Sequence, residues 1–375
     1  MRVAHIITGL TDGGAEAVLY RLCRKCHAHE HLVVSLTEED KYGPLIRALG
    51  VPVVSLRMPP GRVRLSAIWR LRALLREQRP DVVQTWMYHA DLIGGAVARW
   101  SGSKNVVWGV HHTTLDPQKS KRATIWVARA CARLSHYVPQ RIICCAESTA
   151  RIHSELGYDS DKLVVVNNGY DLQEYGPDPD LGRSLRRSLG VPADRPLIGM
   201  VGRFDPQKDH ENLLKALAIL RARGDRFSCL LVGRGLDETN ERLTGWIRDL
   251  RLTECVIVLG QRSDIPAIMN ALDFHVLSSA YGEAFPNVLA EAMACGSPCV
   301  TTDVGDSSVI VGETGWTVPA GDAEKLADGL IAAMTAMRSG LMWELRRQDC
   351  RKRIEAYFSD EAMVTRYQEV WQSGS

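Results

Sequence analysis

Short apolar runs alternate with longer stretches of helical periodicity through most of this chain. The first run covers residues 3–8, after which Gly13-Gly14-Ala15-Glu16 breaks the chain and opens a helix to about residue 28. Apolar runs follow at 32–36, 53–56, 81–85, 106–110, 142–145 and 164–167, with helical patterns at 45–49 and 68–77 among them. This alternation predicts parallel strands joined by crossover helices, an α/β class of fold. Residues 169–196 interrupt it with Asp, Gly and Pro and one short charged helix at 181–189, the composition of a domain boundary. Alternation then restarts. Strands are expected at 197–201, 227–232, 256–259, 274–278, 298–301 and near 309–310, and helices at 213–222, 238–250, 265–271 and 288–294. Two α/β units in series would each bind ligand beyond the carboxyl ends of their strands.

Composition narrows the class. The chain has 375 residues, enough for two domains, with 45% apolar and 24% charged residues. Net charge is only +2, yet the charge is uneven. Seven arginines and one acid, Glu77, lie between Arg57 and Arg79, and six Lys or Arg and no acid lie between Lys119 and Arg141. Both basic runs include Trp, Leu, Ile or Val. No apolar run reaches the roughly 18 residues of a membrane span, and the amino terminus reads as a strand rather than a secretory segment. The ten cysteines are therefore expected as free, buried thiols in a reducing compartment. Cys23-x-x-Cys26, near His27 and His29, reads as part of an ordinary helix, and no metal ligand set is assigned.

Four segments carry chemistry. Gly9-Leu10-Thr11-Asp12-Gly13-Gly14 joins a strand to a helix, where Gly13 and Gly14 let backbone approach a ligand and Glu16 sits in the first turn. It is not the dinucleotide fingerprint Gly-x-Gly-x-x-Gly. Val110-His111-His112-Thr113 ends another strand, where an imidazole can donate to a hydroxyl or a leaving oxygen. Adjacent residues of a strand point opposite ways, so only one of the two histidines need face a substrate. Gly202-Arg203-Phe204-Asp205-Pro206-Gln207-Lys208 supplies two cations on a loop, suited to a diphosphate. Finally, Glu283 stands eight residues before Glu291, with Phe285, Pro286, Asn287 and Val288 between them at an expected helix start. Amides there can meet phosphate, and Glu291 can accept from ribose hydroxyls.

These segments closely resemble the nucleotide-sugar-dependent glycosyltransferases of family 4, which have the GT-B fold. The resemblance covers nearly the whole chain and is strongest at Glu283–seven residues–Glu291 and at Gly202-Arg203-Phe204 with Lys208. Val232-Gly233-Arg234-Gly235 resembles a loop that usually carries an acid where Arg234 stands, and Gly260-Gln261-Arg262-Ser263-Asp264-Ile265 resembles the segment whose backbone frames the base. The resemblance implies two Rossmann-like domains facing across a cleft. An acceptor-binding domain would span 1–172, with a helix at about 356–375 packing back on it, and a donor-binding domain 190–355. It implies retention of anomeric configuration, no cofactor beyond the nucleotide-sugar co-substrate, and no required metal. It assigns diphosphate binding to Arg203 and Lys208, sugar hydroxyls to Glu283, ribose to Glu291, and the first-domain sugar-facing role to His112, with His111, Gly14 and Glu16 toward the acceptor. Gly13, Gly14, Gly202, Gly233, Arg262, Ile265, Phe285, Asn287 and Val288 complete the donor set. It also implies front-face transfer, with no nucleophilic role for Glu283.

The basic helix at 68–77 would present arginines beside Trp69, Leu71 and Leu74, and 119–141 adds Trp126 and Tyr137. Such surfaces rest on anionic lipid. No zinc finger or RNA-binding signature accompanies them, so nucleic acid is not expected. The reading is a hexose or N-acetylhexosamine transferase using a UDP-sugar and a polyprenyl-diphosphate-linked sugar in surface-glycan biosynthesis, peripheral on the cytoplasmic face of the inner membrane. Its rivals are a GDP-mannose or soluble-acceptor transferase and a noncatalytic nucleotide-sugar sensor.

Overall fold

The computed structural model describes residues 1–11, 13–59, 61–111, 122–192 and 194–374, with the Arg122 side chain excepted. The chain divides into two compact units, one of residues Met1–Gly169 with Asp360–Ser375 and the other of Tyr170–Ser359.

The first unit runs β1 (Arg2–Ile7), α1 (Gly14–Lys25), β2 (Glu30–Ser35), α2 (Tyr42–Ala48), β3 (Val53–Ser55), α3 (Leu65–Gln78), β4 (Val82–Trp86), α4 (Tyr88–Trp100), β5 (Val106–Val110), α5 (Arg122–Ser135), β6 (Arg141–Cys144), α6 (Glu147–Glu155) and β7 (Leu163–Val165). All its strands are parallel, in the order β3-β2-β1-β4-β5-β6-β7. Both faces are covered, so β4 and β5 are buried throughout; β5 reads as a continuous apolar run, while β4 buries Gln84 and Thr85 among its apolar residues. Helix α1 stops at Lys25, three residues short of the expected end, with Cys26 as its cap, and the Cys26 carbonyl is met by His31 Nε2 at 2.9 Å.

The second unit runs α7 (Pro179–Ser188), β8 (Leu197–Val201), α8 (His210–Ala222), β9 (Ser228–Val232), α9 (Glu241–Asp249), β10 (Val256–Gly260), α10 (Ile265–Ala271), β11 (Phe274–Leu277), α11 (Asn287–Ala294), β12 (Cys299–Thr302), α12 (Ser307–Val311), β13 (Trp316–Val318), α13 (Ala323–Met337) and α14 (Leu341–Tyr357). Its parallel sheet has the order β10-β9-β8-β11-β12-β13. The last helix, α15 (Asp360–Gln372), belongs to the first unit. Buried Asp360 at its start faces Arg24 at 3.4 Å and Arg21 at 3.9 Å on α1, and Trp371 Nε1 donates to Gln84 Oε1 at 3.1 Å.

Several expectations are corrected. Residues 309–310 lie in helix α12, and the next strand is β13. The stretch 173–189, left between the domains by the sequence, is part of the second unit. Helix α7 is fastened there by Arg186 to Asp273 at 2.5 Å and by the Asp178 N–H to Asn270 Oδ1 at 2.6 Å. Leu71 is fully buried core rather than surface, while Trp69 on the same helix is exposed. As expected, none of the ten cysteines is paired, and all but Cys255 are buried.

Candidate functional site

Both sheets reverse strand order once, between β1 and β4 in the first unit and between β8 and β11 in the second. The loops leaving those strands at their carboxyl ends flank the crevice where open α/β sheets hold ligands. In the second unit those loops are Gly202–Asp209 and Ser278–Pro286, so the order of strands brings together the two segments that the sequence singled out.

The loops are tied to each other. Ala280 N–H donates to the Gln207 carbonyl at 2.8 Å, and Ser278 Oγ donates to the Lys208 carbonyl at 2.8 Å. Asp205 and Asp209 cap successive turns by accepting from the amides of Gln207 (2.9 Å) and Asn212 (3.2 Å). Lys208 is thereby delivered to Glu283: its Nζ donates to Oε1 at 2.6 Å, and Ser279 Oγ donates to the same oxygen at 2.6 Å. Lys208 and Glu283 are 9% and 8% exposed, so the pair is desolvated and each charge depends on the other. Ser279 was missed by sequence reasoning. Its signal, Ser278-Ser279 directly after an apolar strand, is that of many loops. The Glu283 backbone also lies against Gly305, whose φ of 62° and lack of Cβ admit the contact.

Gly202 joins this pair to a pocket of about 200 Å³ lined by Gly202, Arg203, Gly233, Arg234, Gln261, Arg262 and Ile265, among others. A Cβ on Gly202 would meet the Lys208 stem at 3.5 Å. Gly233, at φ 148°, approaches the Gly202 carbonyl so closely that any Cβ would collide with it. Two of the three arginines are held. Arg203 bonds Asp205 and Gln207, each at 3.1 Å, and Arg262 forks onto Asp264 at 2.8 and 2.6 Å. Asp205 sits below the ordinary carboxylate range: its partial burial works against this, but the Gln207 amide and Arg203 outweigh it. The pocket thus offers two held cations and two close backbone walls, a geometry suited to an anionic ligand.

Helix α11 begins at Asn287, with Pro286 as its cap rather than its first residue. Asn287 and Glu291 are four apart and share a face. Phe285 is a core residue, stacked on Tyr170 (6.4 Å) and edge-on to Phe358 (5.4 Å), so only its backbone is available to a ligand. Tyr170 Oη donates to Asn287 Oδ1. Glu291 and Val288 are half-buried on this helix.

In the first unit, the loop after β1 ends in Gly13, the cap of α1, and Gly14, its first residue. Glu16 is buried and folds back so that its carboxylate occupies the space a Cβ on Gly13 would need, and Thr11 Oγ1 donates to it at 3.2 Å. Glu16 is therefore part of the loop's own structure. His111, just past β5, stacks on Trp86 at 5.3 Å and 18°, and Trp86 in turn stacks on Tyr367 of α15 at 5.8 Å and 20°. Burial holds the His111 ring neutral, down to about 4. The Trp86–Tyr367 support was also missed, because it comes from a helix some 280 residues away in sequence. His112 lies outside the described residues.

A fold of two parallel α/β units, with charged and glycine-walled loops at the switch point of the second, defines a class that the comparisons identify. The first half matches the model "Glycosyltransferase Family 4" over residues 12–174, and the second matches "Glycosyl transferases group 1" over residues 183–352. The chain belongs to the GT-B glycosyltransferases of the family 4 type. Among its relatives is EpsF of Bacillus subtilis (strain 168), a protein bearing a glycosyltransferase name, 29% identical over 80% of this chain and 79% of that one. Another is the UDP-Gal:alpha-D-GlcNAc-diphosphoundecaprenol alpha-1,3-galactosyltransferase of Escherichia coli, 25% identical over 87% of this chain and 84% of that one. The crystal structure of Anabaena Alr3699/HepE in complex with UDP shares the fold with a TM-score of 0.87, at 22% identity and full coverage of both chains.

Proposed function

We propose that this protein is a retaining transferase that moves a hexose or N-acetylhexosamine from a UDP-sugar to a polyprenyl-diphosphate-linked sugar. The observation that carries the reading is the buried Lys208–Glu283–Ser279 cluster beside the arginine-lined pocket. Arg203 and Lys208 would neutralise the departing diphosphate without a metal ion. Glu283 would hold the sugar hydroxyls. Its Oε1 already takes two hydrogen bonds, which suits an acceptor that positions rather than a nucleophile. Glu291 would take the ribose hydroxyls, and the amides of Asn287 and Val288, in the first turn of α11, would meet phosphate. Proton removal from the acceptor would fall to the donor phosphate, with attack and departure on one face. His112 and His111 would serve the acceptor side. The lipid-linked acceptor and the UDP donor draw support from the Escherichia coli relative's name and from the UDP complex of the Anabaena structure.

A peripheral membrane site fits the first unit. No helix among the described residues is long and apolar enough to cross a bilayer. Helix α3 instead exposes Leu65 and Trp69. The Arg72 guanidinium lies 5.7 Å from the Trp69 ring and 4.3 Å from that of Trp100, and the two rings meet edge-on at 4.9 Å. Trp126 and Tyr137 are also exposed. Such aromatic–cation surfaces sit at the headgroup level of anionic membranes, here the cytoplasmic face of the inner membrane.

The test is incubation with a panel of UDP- and GDP-sugars against lipid-linked and soluble acceptors, with the anomer of the product read by NMR. Transfer from a UDP-sugar to the lipid-linked sugar with retained configuration is expected. Transfer only to a soluble acceptor, or only from GDP-mannose, would replace this assignment, and binding without turnover would make the protein a sensor.

A further inference from the structure

The amino-terminal half of the first unit holds a second cluster of chemistry-bearing side chains that glycosyl transfer does not use. His5 on β1, His31 on β2 and Cys23 in the last turn of α1 are all buried. One ligand atom from each lies within 4.8 Å of the other two. Val3 pairs with His31 in the β1–β2 register, so His5 and His31 lie two residues apart on one face of the sheet, under α1. The facing nitrogens, His5 Nε2 and His31 Nδ1, are 3.0 Å apart. Two imidazoles across a tetrahedral ion with bonds of 2.0–2.1 Å stand about 3.3 Å apart.

The second shell is of the kind that metal-binding imidazoles use. His31 Nε2 faces the Cys26 carbonyl at 2.9 Å, an acceptor only, so this nitrogen carries the proton and Nδ1 keeps its lone pair. A pocket of about 580 Å³ reaches the cluster, with Cys23, Cys26, His29 and His31 on its wall. His29 is on the wall of that pocket but is not one of the three clustered groups. Its Nδ1 points at the Ala28 carbonyl at 2.6 Å, while its Nε2 is buried with no hydrogen-bond partner among the described residues.

One contact opposes an ion. Trp86 Nε1–H points at His5 Nδ1 at 3.3 Å, which places the His5 proton on Nε2, in the 3.0 Å bridge to His31. The bridging proton therefore stands where the ion would go.

We propose that His5, Cys23 and His31 form a binding site for one zinc-type divalent cation, with water from the pocket in the fourth position. On entry the Cys23 thiol loses its proton to solvent and forms the metal–sulfur bond. The His5 proton moves from Nε2 to Nδ1, and Trp86 gives up its long contact. His31 keeps its hydrogen bond to Cys26 and coordinates through Nδ1. The ion ties β1, β2 and α1 together and takes no part in transfer.

Zinc and cobalt are the probes. Equilibrium dialysis of the full chain with Zn²⁺ should give one ion per chain and a higher melting temperature. Co²⁺ should produce the sulfur-to-cobalt charge-transfer band and the visible bands of a tetrahedral ion. Cys23→Ser should abolish the charge-transfer band and weaken binding by about 100-fold or more. X-ray absorption on the wild-type zinc protein needs no variant and should show a mixed shell, nitrogen at about 2.0–2.1 Å and one sulfur at about 2.3 Å. Absence of stoichiometric binding, an all-oxygen or all-sulfur shell, or bands that survive Cys23→Ser would each overturn the site.

Discussion

The two units share a strand order at their cores and differ in what they place at its reversal. In the first, β1 and β4 lead to Glu16, folded against its own loop, and to the stack Tyr367–Trp86–His111, in which burial keeps the imidazole neutral. In the second, β8 and β11 lead to Lys208 and Glu283 in a desolvated ion pair, with Arg203 and Arg262 alongside. The same topology thus gathers rings at one reversal and charges at the other. Topology decides where a ligand lies; the few loop residues after each strand decide what it is. On the proposed assignment the charged site takes the anionic donor and the ring-lined site a neutral hydroxyl.

The largest expected effect comes from breaking the ion pair. Lys208→Ala removes a charge from the proposed diphosphate site and should cut transfer by roughly 10²-fold or more. It also leaves Glu283 buried and uncompensated, a loss of about 3–5 kcal/mol in stability. Adding Glu283→Gln should recover most of that stability, measured by urea unfolding, and none of the transfer. Arg203→Ala, at an exposed position, should cost comparable activity with little change in stability. Near wild-type transfer in a folded R203A/K208A double variant would remove both side chains from the mechanism.

Next comes the division between the two glutamates. Glu283→Gln keeps the shape but weakens the hold on Lys208 and on the sugar, so turnover should fall by about 10–100-fold at saturating donor. Glu291→Gln should instead weaken donor affinity, since a neutral amide replaces an ionised acceptor. Calorimetry and saturating-donor rates separate the two. Equal, small effects on both quantities would dissolve the division, and a sugar adduct on Glu283 by intact mass would point to double displacement.

How much of this was legible depended on how local the signal was. Strand–helix alternation is written in short apolar runs, and it gave the α/β class and most of the elements. Residues 309–310 misled because a two-residue apolar step has no period; Gly312 and Gly315 shape the turn that follows, and the strand begins only at Trp316. The Glu283–Glu291 segment was visible because its two charges stand in otherwise apolar surroundings, and Arg203–Lys208 because its cations follow a strand that ends in glycine. What could not be read was contact between segments far apart in sequence. Nothing local says that Lys208 ends on Glu283, 75 residues on, or that Tyr367 supports Trp86. Glu16 shows the opposite failure, since its helix-start position looked available and its carboxylate is spent on the loop.

A smaller effect sharpens the electrostatic contrast through pH. His210 is held down to about 4 and His275 to about 3, in each case by burial first and then by Lys208. Asp205 acts weakly in the opposite sense on His210. His111 is lowered by burial alone. A histidine lowered by folding contributes stability that is complete above its ordinary value of about 6.5 and is lost as pH falls toward the folded value. Both units should therefore loosen between about pH 6.5 and 4. Lys208→Met should raise the folded values of His210 and His275 and flatten that loss in the second unit only. Hydrogen exchange of each unit at pH 7.5 and pH 5 reads this directly. An equal change in the first unit would break the assignment of Lys208 as the source.

The smallest predicted effect falls on the ring-built site. Trp86→Phe keeps an aromatic face between His111 and Tyr367 but shortens the stack and removes the Nε1–H that points at His5. Aromatic pairs contribute about 0.5–1.5 kcal/mol beyond burial, so a partial loss corresponds to roughly a two- to tenfold change. If the stack positions the His111 segment for the acceptor, that change should appear in acceptor KM, with donor affinity by calorimetry unchanged. A purely structural role would lower stability and leave both constants alone, because the folded fraction would still bind normally. A shift in donor affinity equal to that in acceptor KM would mean that the two sites do not divide as rings and charges, and the comparison between the units would no longer describe how the protein works.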